Sequence, residues 1–217
     1  MWVFLESVHS MKSRTPTPDL ASSAKPVLEK RHKGAGEVRI IGGEWRRTKL
    51  PVALKPGLRP TPDRVRETLF NWLGQSLVGW RCVDPFAGTG ALGLEAASRG
   101  AAHVLLCELD PALVAQLSLQ VTRLKATQVE VLRTDGVARL RQLSAWSVDL
   151  IFIDPPFDGA LFEPALLAAG KAVKADGFVY LEAPLAWTDA QLEPMGLVLH
   201  RHLRAGAVHA HLLRRIA

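Results

Sequence analysis

An open, mostly parallel α/β sheet with helices on both faces is the fold that this 217-residue sequence predicts. Three observations point to it. From Trp80 onward, short apolar runs rich in β-branched residues alternate with stretches of helical length and period. Two of those runs end in distinctive loops, Asp84-Pro85-Phe86-Ala87-Gly88-Thr89-Gly90 and Asp154-Pro155-Pro156-Phe157. The chain then closes on two alternating segments joined by a short turn, which reads as an antiparallel hairpin. In such sheets ligands bind at the carboxyl ends of the strands, near the point where strand order reverses.

The elements follow in order. Residues 1–36 are rich in Ser, Pro, Lys and Thr, lack periodicity, and read as a disordered basic tail. Val38 to Ile41, Gly42-Gly43 and Glu44 to Leu50 predict a β-hairpin with a two-residue turn, its second strand carrying Trp45. After a Pro- and Gly-rich linker, Thr61 can cap and Pro62 can open a helix running to about Leu73, with Val65 and Leu69 on its apolar face and Arg64 and Arg66 away from it. This hairpin and helix, residues 37–75, form a small extension before a main domain at 76–217. In that domain, strands are expected at 81–85, 103–109, 129–134, 148–153 and 177–182. Helices are expected at 91–99, 111–124, 137–143 and 161–173, and the terminal hairpin at 197–203 and 208–215.

Composition narrows the class. A hydrophobic fraction of 48% and a charged fraction of 22% belong to a soluble globular protein, and no apolar run reaches bilayer-spanning length. Cys82 and Cys107 both fall in core strands and read as buried free thiols, which favours a reducing, cytoplasmic setting. The formal charge of +6 is uneven: residues 1–66 hold 14 Lys/Arg against 6 Asp/Glu, while the remainder holds 13 against 15. A basic N-terminal part ahead of a slightly acidic domain suggests an anionic macromolecular partner. Arg39, Arg46, Arg47, Lys49, Arg59, Arg64 and Arg66 are the candidate phosphate contacts. The histidines show no ligand spacing, so no metal is expected. Nothing in the chain demands a dimer, and a monomer is expected.

The loops carry the chemistry. Gly88-Thr89-Gly90-Ala91-Leu92-Gly93 satisfies the dinucleotide fingerprint, with Glu108 twenty residues past Gly88, so NAD-dependent oxidoreduction is a rival reading. Asp84 tips the balance, because a carboxylate there opposes a pyrophosphate and suits the ammonium of a methionine moiety. Asp135, with Gly136 allowing close approach, could accept from an adenine amino group. Asp154 and the Pro155 carbonyl offer two acceptors for the N–H groups of a planar exocyclic amine, localising its lone pair. Phe157 can stack on a base. The pattern suggests methyl transfer from S-adenosylmethionine to a nucleobase amine.

These residues resemble a known family, the RsmD-type 16S ribosomal RNA guanine-N2 methyltransferases of bacteria. The resemblance is carried by Val38-Arg39-Ile40-Ile41-Gly42-Gly43 with Trp45-Arg46, by Arg59-Pro60-Thr61-Pro62-Asp63-Arg64-Val65-Arg66-Glu67 with Leu69-Phe70-Asn71, and by the two loops. It implies a Rossmann-like class I methyltransferase fold with a seven-stranded sheet and S-adenosylmethionine as donor. The implied acceptor is the guanine conventionally numbered 966 of 16S rRNA, in the assembled 30S subunit. By motif, Asp84, Phe86, Gly88, Gly90 and Glu108, with Asp135, would hold the donor, and Asp154 and Phe157 would handle the guanine. The segment Val208 to Leu212 departs from the family in lacking tyrosines. The tetrapeptide also permits adenine-N6 methylation of DNA, and a ribosome-assembly factor without catalysis is a further alternative.

Overall fold

The computed structural model describes residues 36–53, 55, 60–156 and 160–216. The anticipated basic tail, Arg59 and Phe157 therefore lie outside the described residues, apart from Gly36 at the tail's end. Two strands, β1 (Glu37–Arg39) and β2 (Lys49–Pro51), pair antiparallel, and α1 (Asp63–Trp72) follows. Then come β3 (Arg81–Asp84), α2 (Ala91–Ser98), β4 (His103–Glu108), α3 (Pro111–Leu124), β5 (Val129–Arg133), α4 (Gly136–Arg141), β6 (Val148–Ile153), α5 (Phe162–Ala172) and β7 (Val173–Ala183). A short α6 (Asp189–Leu192) with a 3₁₀ turn at Glu193–Met195 leads to β8 (Leu197–Ala205) and β9 (Val208–Arg215).

Seven strands form one sheet in the order β5-β4-β3-β6-β7-β9-β8. Strands β3 to β7 run parallel, and β9 pairs antiparallel with both β7 and β8. Strand order reverses between β3 and β6, which is where such sheets bind ligands. Alternation along the central strands divides the core. Cys82, Leu150, Phe152 and Tyr180 face a layer made by the N-terminal hairpin, α1, α2 and α3. Val83, Ile151, Ile153 and Leu181 face α4 and α5. Both thiols are free and buried, and burial pushes their pKa values up, that of Cys107 to about 12, so they are inert packing groups.

The N-terminal strands depart from the expected hairpin. Val38 pairs with Leu50, so the connection runs from Ile40 to Thr48 rather than through a two-residue turn. Gly43 has φ +77°, and a Cβ there would lie 1.8 Å from the Ser98 carbonyl oxygen. The glycines serve contact with the end of α2, not a tight hairpin. Trp45 lies in this connection, buried, its N–H donating to Ser98 Oγ at 2.9 Å. A two-residue connection does occur at Gly206-Ala207, with Gly206 at φ +65°.

Two further differences have local causes. α1 begins at Asp63 with Pro62 as its N-cap, so Thr61 is not the cap. β7 is longer than expected because α5 passes directly into it. Val173 pairs with Val148 before an irregularity that resumes at Phe178 opposite Leu150. No break in packing falls at 75–76: Gly34–Ala217 is one compact unit, and Val38, Ile40, Trp45, Leu50, Val65, Leu69 and Phe70 share a core with α2 and β3.

Candidate active site

Each parallel strand ends beside a carboxylate. Along the sheet these are Asp135 after β5, Glu108 ending β4, Asp84 ending β3, Asp154 after β6 and Glu182 near the end of β7. Asp84, Asp154 and Glu182 continue the alternation of Cys82, Phe152 and Tyr180, so they share one face across the switch point.

The glycine loop is built around two of them. Gly88 donates its N–H to Glu108 Oε2 at 3.0 Å, and Asp110 donates to Oε1 at 2.9 Å. Gly90 caps α2 at φ +78°, where a side chain would be strained and its Cβ would meet Leu117 at 2.6 Å. Asp84, 2% exposed, accepts from the N–H groups of Phe86, at 3.3 Å, and Gly93. Burial lifts its pKa to about 7 against those two donors, with the charges of Glu108 and Glu182 adding to the rise. The N–H groups of Phe86, Gly88 and Gly93 are thus already given to carboxylates, which leaves fewer donors for a pyrophosphate and sets two carboxyls around the loop. This arrangement suits a cationic ligand and counts against the dinucleotide reading.

Phe86 is half-buried against the α4–α5 side of the sheet. Asp135 is exposed and caps α4, its Oδ1 accepting from Ala138 N–H at 2.7 Å. The close approach that Gly136 permits is to the protein itself: a Cβ would lie 1.9 Å from the Pro85 carbonyl oxygen. Gly136 thus seats α4 against the glycine loop.

On the other side of the switch point Asp154 is half-buried and Pro155 buried. Burial, then the charges of Glu182 and Asp84, raise the Asp154 pKa well above the ordinary carboxylate range. Glu182 is 3% exposed and accepts from Tyr180 Oη–H at 2.8 Å. Burial raises its pKa above the ordinary carboxylate range, and hydrogen bonds from the Thr61 and Tyr180 side chains and the nearby Arg66 charge oppose that rise.

Of the candidate phosphate contacts, Arg39, Arg46, Arg47, Lys49 and Arg64 are exposed, Lys49 pairing with Glu37 at 2.7 Å. Arg66 is a correction: it is fully buried. Its guanidinium meets Asp63 Oδ1 at 2.6 Å, the Arg39 carbonyl at 2.8 Å and Glu95 Oε2 at 3.4 Å. α1 turns it toward α2 because Glu95 there is itself buried and needs a cation.

Three features escaped the sequence reading. One is the Thr61–Tyr180–Glu182 cluster, for which a lone acid inside an apolar strand was the available signal. The second is Glu95, the single charge in an otherwise apolar helix. The third is Lys55, which pairs with Asp110 beside Glu108 and ties the linker to the start of α3. No local pattern marks that pair.

Comparison with known proteins gives the family. The family described as Conserved hypothetical protein 95 matches residues 38–214. The chain is 43% identical over 192 residues to the Ribosomal RNA small subunit methyltransferase D of Escherichia coli K12, covering 86% of this chain and 94% of that protein. Against its Haemophilus influenzae counterpart it is 41% identical, covering 76% and 93%. The solved structure of the putative methyltransferase yhhF from Escherichia coli superposes with a TM-score of 0.72 at 43% identity, covering 84% of this chain and 99% of that one. The solved structure of a putative RNA methyltransferase from Pyrococcus horikoshii, 22% identical with a TM-score of 0.61, shares the architecture alone. The chain, with its glycine loop between Asp84 and Glu108 and its Asp-Pro-Pro tip at the switch point, belongs to the RsmD family of ribosomal RNA small subunit methyltransferases.

Proposed function

We propose that this protein transfers a methyl group from S-adenosylmethionine to the exocyclic N2 amine of guanine 966 of 16S rRNA in the assembled 30S subunit. The observation that carries this reading is that the Asp154-Pro155 tip after β6 and the buried Asp84 ending β3 stand at the ends of adjacent strands, at the switch point. The donor set fits the cofactor. Asp84 is a buried carboxylate suited to an ammonium, Glu108 already accepts two N–H bonds and suits ribose hydroxyls, and Gly90 leaves no side chain over the loop. Asp135 would take the adenine amino group with the oxygen that its cap does not use. S-adenosylmethionine supplies an electrophilic methyl group.

The chain's own residues supply orientation and charge. Asp154 and the Pro155 carbonyl accept from the two N–H groups of the amine, turning its lone pair toward the donor and stabilising the charge that grows on nitrogen. The prolines fix those acceptors before the base arrives. Phe157 would stack on the base. Arg39, Arg46, Arg47, Arg59 and Arg64 are assigned to rRNA phosphates, with Lys49 joining them by leaving Glu37. The same reading implies a monomer working in the cytoplasm.

The test is transfer of labelled methyl onto 30S particles lacking the modification, with nucleoside mass analysis. N2-methylguanosine is expected. N6-methyladenosine, or no incorporation into 30S particles, naked rRNA or DNA, overturns the assignment.

A further inference from the structure

Asp154 and Glu182 stand on neighbouring strands one step beyond the last paired residues, Ile153 and Leu181. Phe152 and Tyr180, two residues back, touch edge to face with ring centroids 6.4 Å apart, which fixes the shared face. Adjacent strands lie about 4.8 Å apart, so the two carboxylates are direct neighbours. Their surroundings differ. Glu182 takes hydrogen bonds from Tyr180 and Thr61 and lies near the Arg66 guanidinium, all of which favour its charge. For Asp154 the neighbouring groups are the carboxyls of Glu182 and Asp84, with no donor or cation among them to favour its charge.

We propose that Glu182 is a positioning residue whose carboxylate, held by Tyr180, Thr61 and Arg66, makes Asp154 the proton acceptor in methyl transfer, rather than only an orienting group. The inference rests on the guanine-methylation reading above. In the step, the N2 lone pair forms the bond to the methyl carbon, and the sulfur–carbon bonding pair stays on sulfur. The N2 proton passes to the Asp154 carboxylate and from there to water. An ordinary aspartate is too weak a base to take that proton well near neutrality, and a like charge alongside strengthens it. The raised pKa of Asp154, caused by burial and then by Glu182 and Asp84, is consistent with this division of labour. The other charged or titratable groups facing the pair are Asp84 on β3, with Glu108 beyond it on β4, Tyr180 on β7 and Arg66 on α1. Thr61 and Arg66 come from the N-terminal extension, so that extension reaches the catalytic carboxylates directly.

The experiment is the pH dependence of single-turnover methyl transfer to 30S particles for the wild type, Glu182→Gln, Glu182→Asp and Thr61→Val, with nucleoside analysis of each product. Glu182→Gln should move the acid limb to lower pH by about one unit and lower the plateau rate. Glu182→Asp keeps the charge and should keep the limb where the wild type has it. Thr61→Val removes one donor that holds Glu182 ionised, and should shift the limb in the same direction by less. If Glu182→Gln does not fold, Thr61→Val decides. A wild type that makes N2-methylguanosine while neither Glu182→Gln nor Thr61→Val moves the limb overturns the role of Glu182 alone. A wild type that makes none overturns the guanine reading and this inference with it.

Discussion

Replacing Glu95 by alanine should destabilise the protein more than any single change at the catalytic loops. The Glu95 carboxylate has no solvent exposure. It accepts the backbone N–H groups of Ile41 at 2.7 Å and Gly42 at 2.8 Å, and it faces Arg99 at 2.8 Å and Arg66 at 3.4 Å. Arg66 is buried with it, and Arg99 is only 7% exposed. Removing the carboxylate leaves two N–H donors unpaired away from water, leaves Arg99 with neutral Gln75 acceptors and no counter-charge bonded to it, and leaves Arg66 with Asp63 and the Arg39 carbonyl. Breaking a buried ion pair from one side costs about 3–5 kcal/mol, because the remaining charge is uncompensated. Against a total stability of about 5–15 kcal/mol this is a large fraction. At about 2–4 °C per kcal/mol for a domain of this size, the melting temperature should fall by about 6–20 °C. Glu95→Gln keeps the shape and one acceptor but turns an amide N–H toward a guanidinium, and should recover about half of the loss at most. Urea unfolding followed by circular dichroism measures both. A loss below about 1 kcal/mol in Glu95→Ala would refute the reasoning, since it would mean that water or a shifted side chain replaces the carboxylate at little cost.

Other consequences concern the site itself. Asp84 titrates near 7 in the fold against an ordinary 3.8, so between those values the folded state holds a proton that the unfolded chain has lost. Its contribution therefore falls as pH rises through that window, and the full cost, on the order of a few kcal/mol, is present above 7. Asp84→Asn should be more stable than the wild type at pH 8 and equal to it near pH 4, while binding the cationic donor more weakly; thermal melts at the two pH values and calorimetry check this. For the wild type, affinity for S-adenosylmethionine should drop by about fivefold from pH 7 to 6 as Asp84 protonates. Asp154→Ala should lower methyl transfer by about 10²–10⁴-fold with donor affinity retained, measured by single-turnover labelling and calorimetry. Arg46→Ala with Arg47→Ala should reduce the slope of log affinity against log salt for rRNA by about one to two, read from filter binding between low and physiological salt.

The parallel sheet was legible because strands covered on both faces read as near-continuous apolar runs, and Val148–Ile153 is entirely of that kind apart from Asp149. The ends of those strands were legible too, since a carboxylate following an apolar run stands out. What local reading could not supply was the partner of a residue far away in sequence. Gly42-Gly43 has the composition of a hairpin turn, and only the closeness of Ser98, more than fifty positions on, shows that it is a packing contact. Arg66 sits on a basic segment and charged side chains are usually exposed, so a surface role was the natural expectation. Its burial depends on Glu95, 29 positions away, and on the Arg39 carbonyl, 27 away. Glu182 was hidden for the converse reason. Its neighbour Asp154 had a motif to announce it, whereas Glu182, bonded to Tyr180 two residues back on the same face of β7, comes beside Asp154 only because β7 lies beside β6.

These contacts change what a truncation could reveal about RNA binding. A natural way to separate docking from catalysis would be to delete the extension before α1 and measure what remains. In this fold that deletion removes Val38, Ile40, Trp45, Leu50 and Val52 from the core, where each is buried. It also strips Glu95 of its two backbone donors and Ser98 of the Gly42 carbonyl and the Trp45 N–H. Carried through Thr61, it frees the donor that helps to hold Glu182. At about 25 cal/mol per Å² of apolar surface, losing five buried side chains costs several kcal/mol before any polar group is counted. Loss of activity on deletion would therefore follow from unfolding or from a disturbed carboxylate pair as readily as from lost rRNA contact. Substitution at the exposed Arg46 and Arg47 leaves the core and the Glu95 network in place, so a change in salt dependence there reports on the RNA alone.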